Sequence, residues 1–377
     1  MALKSFADAN ENPATSPNLH STEEDRVGVF VHMLQNGIVR TDAMWLVLLL
    51  RSLKVLSRKQ VNRLQFGDAG LRALVSALAN PLNAKVAAEG ANVLLNVCYE
   101  VENVHALLKT PGVQQLLLFL TEDDEDVQAN AAGAIQSICF QEEGRKHVHD
   151  KGGIASLSVL LGSRNPKVAT RAVGAVHNLS SDAGVIRDIR AHGAIPTLVS
   201  LLRSDRLAVS GSAAGALQNV SREVASRLII RELDAVPPLA RLLSAPDVQA
   251  QVCASGALLN IVGPDLDRRE AQRAQARAAA SRLRASQQRS PRASLAPPSP
   301  SGPDKGGGGG SGRGQGLGLL GLQEEEGEDE EGMLSVALPP PSHSQRRGLG
   351  RLMALCMATA AIYDSVFEAP PPLEEVP

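Results

Sequence analysis

Hydrophobic positions recur at helical spacing through the middle of the chain. In residues 195–202, Ile-Pro-Thr-Leu-Val-Ser-Leu-Leu, the apolar side chains fall at i, i+3, i+4, i+6 and i+7, which is one face of a helix. Pro196 stands in the first turn, where proline is tolerated. Similar runs open at Val113, Ile154 and Val236, so that the four starts lie 41 residues apart. A short polar turn and a longer helical pattern follow each run, which predicts units of helix, turn and longer helix.

The longer helices repeat one phrase at the same period. Residues 173–179 read Val-Gly-Ala-Val-His-Asn-Leu, and residues 214–220 read Ala-Gly-Ala-Leu-Gln-Asn-Val. The same step leads to Ser-Gly-Ala-Leu-Leu-Asn-Ile at 255–261, to Ala-Gly-Ala-Ile-Gln-Ser-Ile at 132–138 and to a weaker copy at 92–97. Five copies in register indicate a repeat array rather than an ordinary globular domain.

These phrases resemble the armadillo repeat, in the version found in β-catenin and the plakophilins, from Gly67 to Val262. The resemblance is carried by the glycine before the second helix, by the Ile-Pro-x-Leu-Val-x-Leu-Leu run and by the Ala-Gly-Ala-Leu-x-Asn-Val phrase. It implies an all-α fold, a right-handed armadillo-repeat superhelix with degenerate capping repeats. HEAT repeats have a similar length and are the alternative, but they do not predict the Gly-Ala-Leu-x-Asn phrase.

Changes in composition divide the chain into five predicted parts. Trp45 is expected to pack in the core of the second part, and the last part is expected to cover the apolar end of the fifth repeat. The parts are a flexible leader (1–25), a degenerate cap repeat (26–66), five armadillo repeats (67–265), a disordered insertion that is Arg/Ala-rich, then Pro/Gly-rich, then acidic (266–347), and a C-terminal capping helix with a Pro-rich tail (348–377).

The overall charge does not draw the chain to nucleic acid or to an anionic membrane. Its 377 residues carry 38 lysines and arginines against 40 aspartates and glutamates, a formal net charge of −2. Aromatic residues make up 2% of the chain, which suits closely stacked helices. The four cysteines are far apart and form no Cys-x-x-Cys pair, which indicates buried thiols in a reducing compartment.

The sequence predicts neither secretion nor a membrane anchor. The amino terminus turns polar too early for a secretory signal, and Ala2 stands where N-myristoylation requires glycine. The apolar stretch before Tyr363 is shorter than the ~20 residues of a membrane span. We therefore expect a cytoplasmic protein. Association with the cytoskeleton, a cilium or a flagellum is the alternative, and a nuclear location stays open.

No catalytic or cofactor-binding pattern is present. The chain has no nucleophile elbow and no nucleotide fingerprint, and the glycine run 306–310 lacks the Gly-Lys-Ser/Thr ending of a phosphate loop. His147 and His149 with Asp150 are the best metal candidates, but alternate residues of a helix face different ways. The sequence predicts a non-enzyme without a metal, cofactor or small-molecule substrate.

The resemblance implies where a partner binds. In armadillo proteins the third helices line a concave groove, and asparagines facing it hydrogen-bond the backbone of an extended segment. Ser137 interrupts this row, and Lys167 and His177 add to a modest basic patch at its centre. The predicted groove residues are Asn96, Ser137, Arg171, Asn178, Asn219, Arg222 and Asn260. The alternative is that each asparagine only satisfies backbone groups between repeats.

The predicted function is a protein-binding scaffold or adaptor, and a structural component of a cytoskeletal assembly such as the ciliary axoneme is the alternative. Nuclear-import adaptors place tryptophan four residues before the asparagine, whereas this chain has glycine at Gly133, Gly174, Gly215 and Gly256, which disfavours cargo import. The Arg-rich run 268–292 fits an acidic or cytoskeletal surface. Nucleic acid is disfavoured because the run lacks aromatic residues for base stacking. The serines of its Ser-Pro pairs, Ser290 and Ser299, are candidates for phosphorylation.

Overall fold

Residues 2–12 and 26–262 are described by the structure, a computed structural model. Every regular element within these two ranges is an α-helix, so the all-α prediction is confirmed. The predicted insertion 266–347, with its Arg-rich run and the two candidate serines, lies outside the described residues. So does the predicted capping helix within 348–377. The boundaries between the predicted parts stay predictions.

Nineteen helices follow one another in the described residues, and after the first four they form five three-helix units. The helices before the repeats are α1 (Ala2–Ala9), α2 (Arg26–Leu34), α3 (Gly37–Thr41) and α4 (Ala43–Leu56). The units are α5 (Gln60–Arg63), α6 (Gly67–Leu78) and α7 (Ala84–Val97); α8 (Val101–Leu108), α9 (Gly112–Phe119) and α10 (Glu125–Ile138); α11 (Glu142–Asp150), α12 (Gly153–Leu160) and α13 (Pro166–Leu179); α14 (Ala183–Ala191), α15 (Ala194–Leu201) and α16 (Leu207–Val220); α17 (Val224–Glu232), α18 (Val236–Leu242) and α19 (248–262).

Local sequence sets the limits of these helices. A left-handed residue separates the first from the second helix in three successive units: Gly152 at φ +77°, Gly193 at φ +67° and Asp234 at φ +53°. Glycine enters this region freely, and aspartate tolerates it better than most residues. Before the third helices, Asp124 and Asn165 accept hydrogen bonds from the first-turn amides of α10 and α13. Asp124 therefore caps α10.

The third helices form the continuous layer of the molecule. α7 packs on α4, α10 on α7, α13 on α10 and α16 on α13. Alanines such as Ala132 and Ala172 are fully buried between them, because small side chains let neighbouring helices approach closely. This stacking brings the residues of the repeated phrase into rows, one residue per third helix.

The amino-terminal helix α1 packs against the free side of α4. Ala7 is fully buried, and the Phe6 ring meets Phe30 of α2 edge to face, with the centroids 6.0 Å apart. Glu11, just after α1, forms ion pairs with Arg51 and Lys54, both at 2.8 Å. Burial alone would raise the pKa of Glu11, but these two hydrogen-bonded cations outweigh it and lower that pKa to about 2. The contact therefore combines apolar burial with a charged network.

The contacts of Arg58 show that α1 takes the place of a missing third helix. Its guanidinium donates to the carbonyl oxygens of Asn10 and Glu11 at 2.8 and 2.7 Å, just beyond the end of α1. Arg222, four periods later, donates to the carbonyl oxygen of Ser180, beyond the end of α13, at 3.0 Å and to that of the next residue at 2.8 Å. α1 thus stands to α4 as α13 stands to α16, and it closes one end of the helix stack.

Two expectations for this end of the chain differ from the structure. Residues 2–9, expected to belong to a flexible leader, are helical, and Arg51, Lys54 and Arg58 bind the polar groups that directly follow α1. Trp45 was expected in the core, yet 38% of it is exposed, next to the exposed Met44.

Candidate functional site

The predicted asparagine row lies along the stacked third helices, one residue per helix, and each of its members is half-buried. The Asn178 side-chain amide donates to the carbonyl oxygen of Gln136 at 2.9 Å, across the α10–α13 interface. Asn260 donates in the same way to the carbonyl oxygen of Gln218 at 3.0 Å. Each bond satisfies a carbonyl near the end of the preceding third helix, where no intrahelical donor exists.

The other two asparagines also donate to the preceding unit. Asn96 reaches the Ser57 hydroxyl at 3.0 Å and Asn219 reaches the Ser180 hydroxyl at 3.0 Å. The side-chain oxygens of the four asparagines accept no hydrogen bond from any described residue. The donor half of each amide therefore ties two repeats together, while the acceptor half is available on the surface.

Ser137, which interrupts the row, is buried and does not act as a shorter asparagine. Its hydroxyl donates to the carbonyl oxygen of Gly133 in its own helix at 3.2 Å. The Tyr99 hydroxyl of the preceding unit lies within hydrogen-bonding reach of Ser137, and burial raises the Tyr99 pKa. The Tyr99 ring also faces Phe140, with the centroids 6.2 Å apart, and the Arg63 guanidinium, 5.7 Å from its centroid. An aromatic pair fills the gap in the amide row.

The two predicted groove arginines have different surroundings. Arg222 is held by three carbonyl oxygens, including that of Asn219 at 3.0 Å, and so joins α16 to α13. Arg171, on α13, forms no hydrogen bond or ion pair with a described residue, and its Cδ lies over Gly133 of α10. Arg171 and Lys167 stand one helical turn apart. These two are the free cations of the predicted basic patch within the described residues.

His177, the remaining member of that patch, is largely enclosed. Burial lowers its pKa from 6.5 to about 4, so the imidazole is neutral at pH 7. The ring lies over Gly215 of the next third helix, where an added Cβ would overlap it. His177 therefore contributes hydrogen-bonding groups to this surface rather than positive charge.

A second polar row, one residue before the asparagines, was not predicted. Gln136 lies over Gly174 and Gln218 over Gly256, as His177 lies over Gly215, and in each case a Cβ on the glycine would overlap the side chain. The glycines are needed as open slots, which the preceding side chain fills. The signal was present in the sequence, since 136, 177 and 218 share the 41-residue step.

The described residues hold no group of histidine, cysteine or acidic side chains placed to bind a metal. The Nε2 atom of His149, in the best sequence candidate, instead lies 2.7 Å from Oδ2 of Asp188 on the next first helix. Burial raises the pKa of the Cys98 and Cys139 thiols, which favours the unreactive protonated form. No helix in the ranges 2–12 and 26–262 is long and apolar enough to span a membrane.

Comparisons with known proteins agree with this architecture. The family model described as Armadillo/beta-catenin-like repeat matches residues 101–140 and 182–222. A crystal structure of an engineered protein is 30% identical, with a TM-score of 0.57, and the match covers 62% of this chain and 96% of that one. A second engineered protein is 28% identical, with a TM-score of 0.60, over 69% of this chain and 63% of the other.

A designed armadillo repeat protein in complex with the peptide (KR)4 is 24% identical, with a TM-score of 0.55, and the match covers 63% of this chain and 99% of that one. At this identity the likeness shows the fold alone. A search of curated proteins gave no match.

Proposed function

The chain belongs to the armadillo-repeat proteins, and on that premise we propose that it is a non-enzymatic scaffold or adaptor that binds an extended segment of a protein partner. The segment lies across the stacked third helices, along the concave face that the fold provides. A cytoplasmic location belongs to the same proposal.

The observation that carries this proposal is the row of unpaired acceptors beside a free guanidinium. The side-chain oxygens of Asn178 and Asn219 accept no bond within the described residues, and neither does Arg171 donate one. Backbone N–H groups of an extended segment can donate to these asparagine side-chain oxygens, and oxygen atoms of the segment can accept from Arg171. Packed helices lie about 8–10 Å apart and an extended chain rises about 3.3 Å per residue. About one residue in three of the segment therefore lies opposite an asparagine of the row.

The designed armadillo protein in complex with (KR)4 supports peptide binding as a use of this fold. Its peptide sequence does not transfer to this chain. The unpaired Arg171 and its neighbour Lys167 disfavour a strongly cationic segment at the centre of the row, and the glycine slots hold no tryptophan to stack on lysine stems. We therefore expect a neutral or moderately acidic segment.

A random 12-residue peptide library displayed on phage tests the proposal with the full-length chain as bait. The affinity of the best enriched peptide is then measured by fluorescence anisotropy for the wild type and for Arg171→Ser, which copies Ser212 of the next unit. We expect Arg171→Ser to weaken binding about tenfold, as for a lost charge-assisted hydrogen bond.

Arg203→Ser is the matched control, because Arg203 is an exposed arginine in the turn after the second helix α15. It is expected to bind as the wild type does. The proposal fails if no peptide is enriched, or if the two variants bind the selected peptide equally well.

A further inference from the structure

We propose that Gln136, His177 and Gln218 form a second row of the binding surface, and that this row hydrogen-bonds the main chain of the partner segment. The inference rests on the proposed function, and it assigns the backbone contact to residues outside the asparagine row. These three side chains are half-buried, and each lies on the interface between two successive third helices.

Their positions are fixed by the glycine of the next helix. Because Gly174, Gly215 and Gly256 have no Cβ, the preceding side chain lies over the glycine with its terminal amide or imidazole atoms where a Cβ would stand. A larger residue at any of these glycines would push that side chain away. Two amides and one imidazole therefore occupy the part of the surface that larger side chains at the three glycines would otherwise cover.

The hydrogen-bonding groups of this row are free. None of the three side chains bonds to another described residue, although the backbone carbonyls of Gln136 and Gln218 accept from the asparagine row. An amide and a neutral imidazole each offer a donor and an acceptor, the pair that one peptide unit presents. Asn178 and Asn219 already donate one of their two side-chain N–H groups to the preceding repeat, so this second row adds further donors for the partner's carbonyl groups.

The ends of the row define its length. The equivalent positions one step before and one step after it are Leu95 and Leu259. Leu95 fills the slot over Gly133 with methyl groups, which cannot bond a peptide. Three polar rungs at about 8–10 Å spacing span about 16–20 Å, or about five to six residues of extended chain. The partner segment is therefore short, with apolar contacts at both of its ends.

Amide-to-ester replacement in the library-selected peptide tests this inference. Each ester removes one backbone N–H and weakens one carbonyl acceptor while it keeps the side chains. We measure the affinity of each ester peptide for the full-length wild type and for Gln136→Leu, His177→Leu and Gln218→Leu, which copy Leu95. Gln114→Leu, at an exposed position of the second helix α9, is the control, and thermal melting checks that each variant is folded.

We expect about tenfold weaker binding at three peptide bonds spaced two or three residues apart. We also expect each loss to disappear in one leucine variant, since the missing bond cannot be lost twice. Gly174→Ala keeps Gln136 but displaces it, and it should reproduce the effect of Gln136→Leu.

If binding depends on Arg171 while the leucine variants bind as the wild type does, the inference is wrong and the proposed function stands. If neither Arg171 nor this row affects the peptide, both are wrong.

Discussion

His177→Gln is expected to remove a source of acid sensitivity that acts between pH 6.5 and pH 4. Burial holds the His177 pKa at about 4, against 6.5 for a free histidine. Glutamine already fills the equivalent slot in the units on either side, where Gln136 lies over Gly174 and Gln218 over Gly256. The replacement therefore keeps the packing and removes the titrating group.

The magnitude follows from the two pKa values. The unfolded chain takes up a proton at pH 6.5, whereas the folded chain resists it until about pH 4. Stability from the neutral ring is thus fully present above pH 6.5 and is lost as the pH falls toward 4. A shift of about 2.5 units at 1.36 kcal/mol each corresponds to about 3 kcal/mol, of which about 2 kcal/mol is lost by pH 5.

Urea unfolding at pH 7.5 and pH 5 measures this loss. The wild type should lose about 2 kcal/mol more than His177→Gln between the two pH values. The pKa of Glu11, at about 2, lies well below this window, so that ion pair stays intact. His192→Gln, at an exposed ring, is the control and should follow the wild type. Equal losses in the wild type and His177→Gln would refute the argument.

Three further outcomes are expected. Asn178→Ala should lower the free energy of unfolding by about 1 kcal/mol, and Asn219→Ala by less, because the Ser180 hydroxyl that it leaves behind keeps its own hydrogen bond to the His177 carbonyl oxygen; denaturant titration compares them. Arg58→Met should release α1, seen as faster hydrogen exchange of residues 2–9 and a lower melting temperature. Asp234→Gly should raise the free energy of unfolding by about 0.5 kcal/mol in the same titration, because glycine enters the left-handed region without a clash.

The repeat architecture could be predicted because each unit specifies its own helices. The 41-residue step, the apolar faces and the capping residues are local, so the second helices α9, α12 and α15 begin one residue before the predicted starts at Val113, Ile154 and Ile195. Asp234 is informative here. It stands where a glycine was expected, and it adopts the same left-handed conformation, because the turn between the first and second helices requires it.

The end of the stack could not be predicted, since it depends on residues far apart in the chain. Nothing local to residues 2–11 shows that Arg51, Lys54 and Arg58 will meet them 40 to 48 positions later. The polar composition of the segment favoured a flexible leader. In the structure, the carbonyl and carboxylate groups at the end of α1 and just beyond it bind cations that a preceding third helix would otherwise bind.

The sequence also could not predict which way each asparagine amide points, and this orientation decides which substitutions are informative. The same side chain donates inward to the neighbouring repeat and accepts on the surface, so every change at Asn178 alters stability and the groove together. Arg171 and the row of Gln136, His177 and Gln218 make no side-chain bond within the described residues. Substitutions there are therefore expected to test the proposed partner contact at neutral pH without removing a hydrogen bond between repeats.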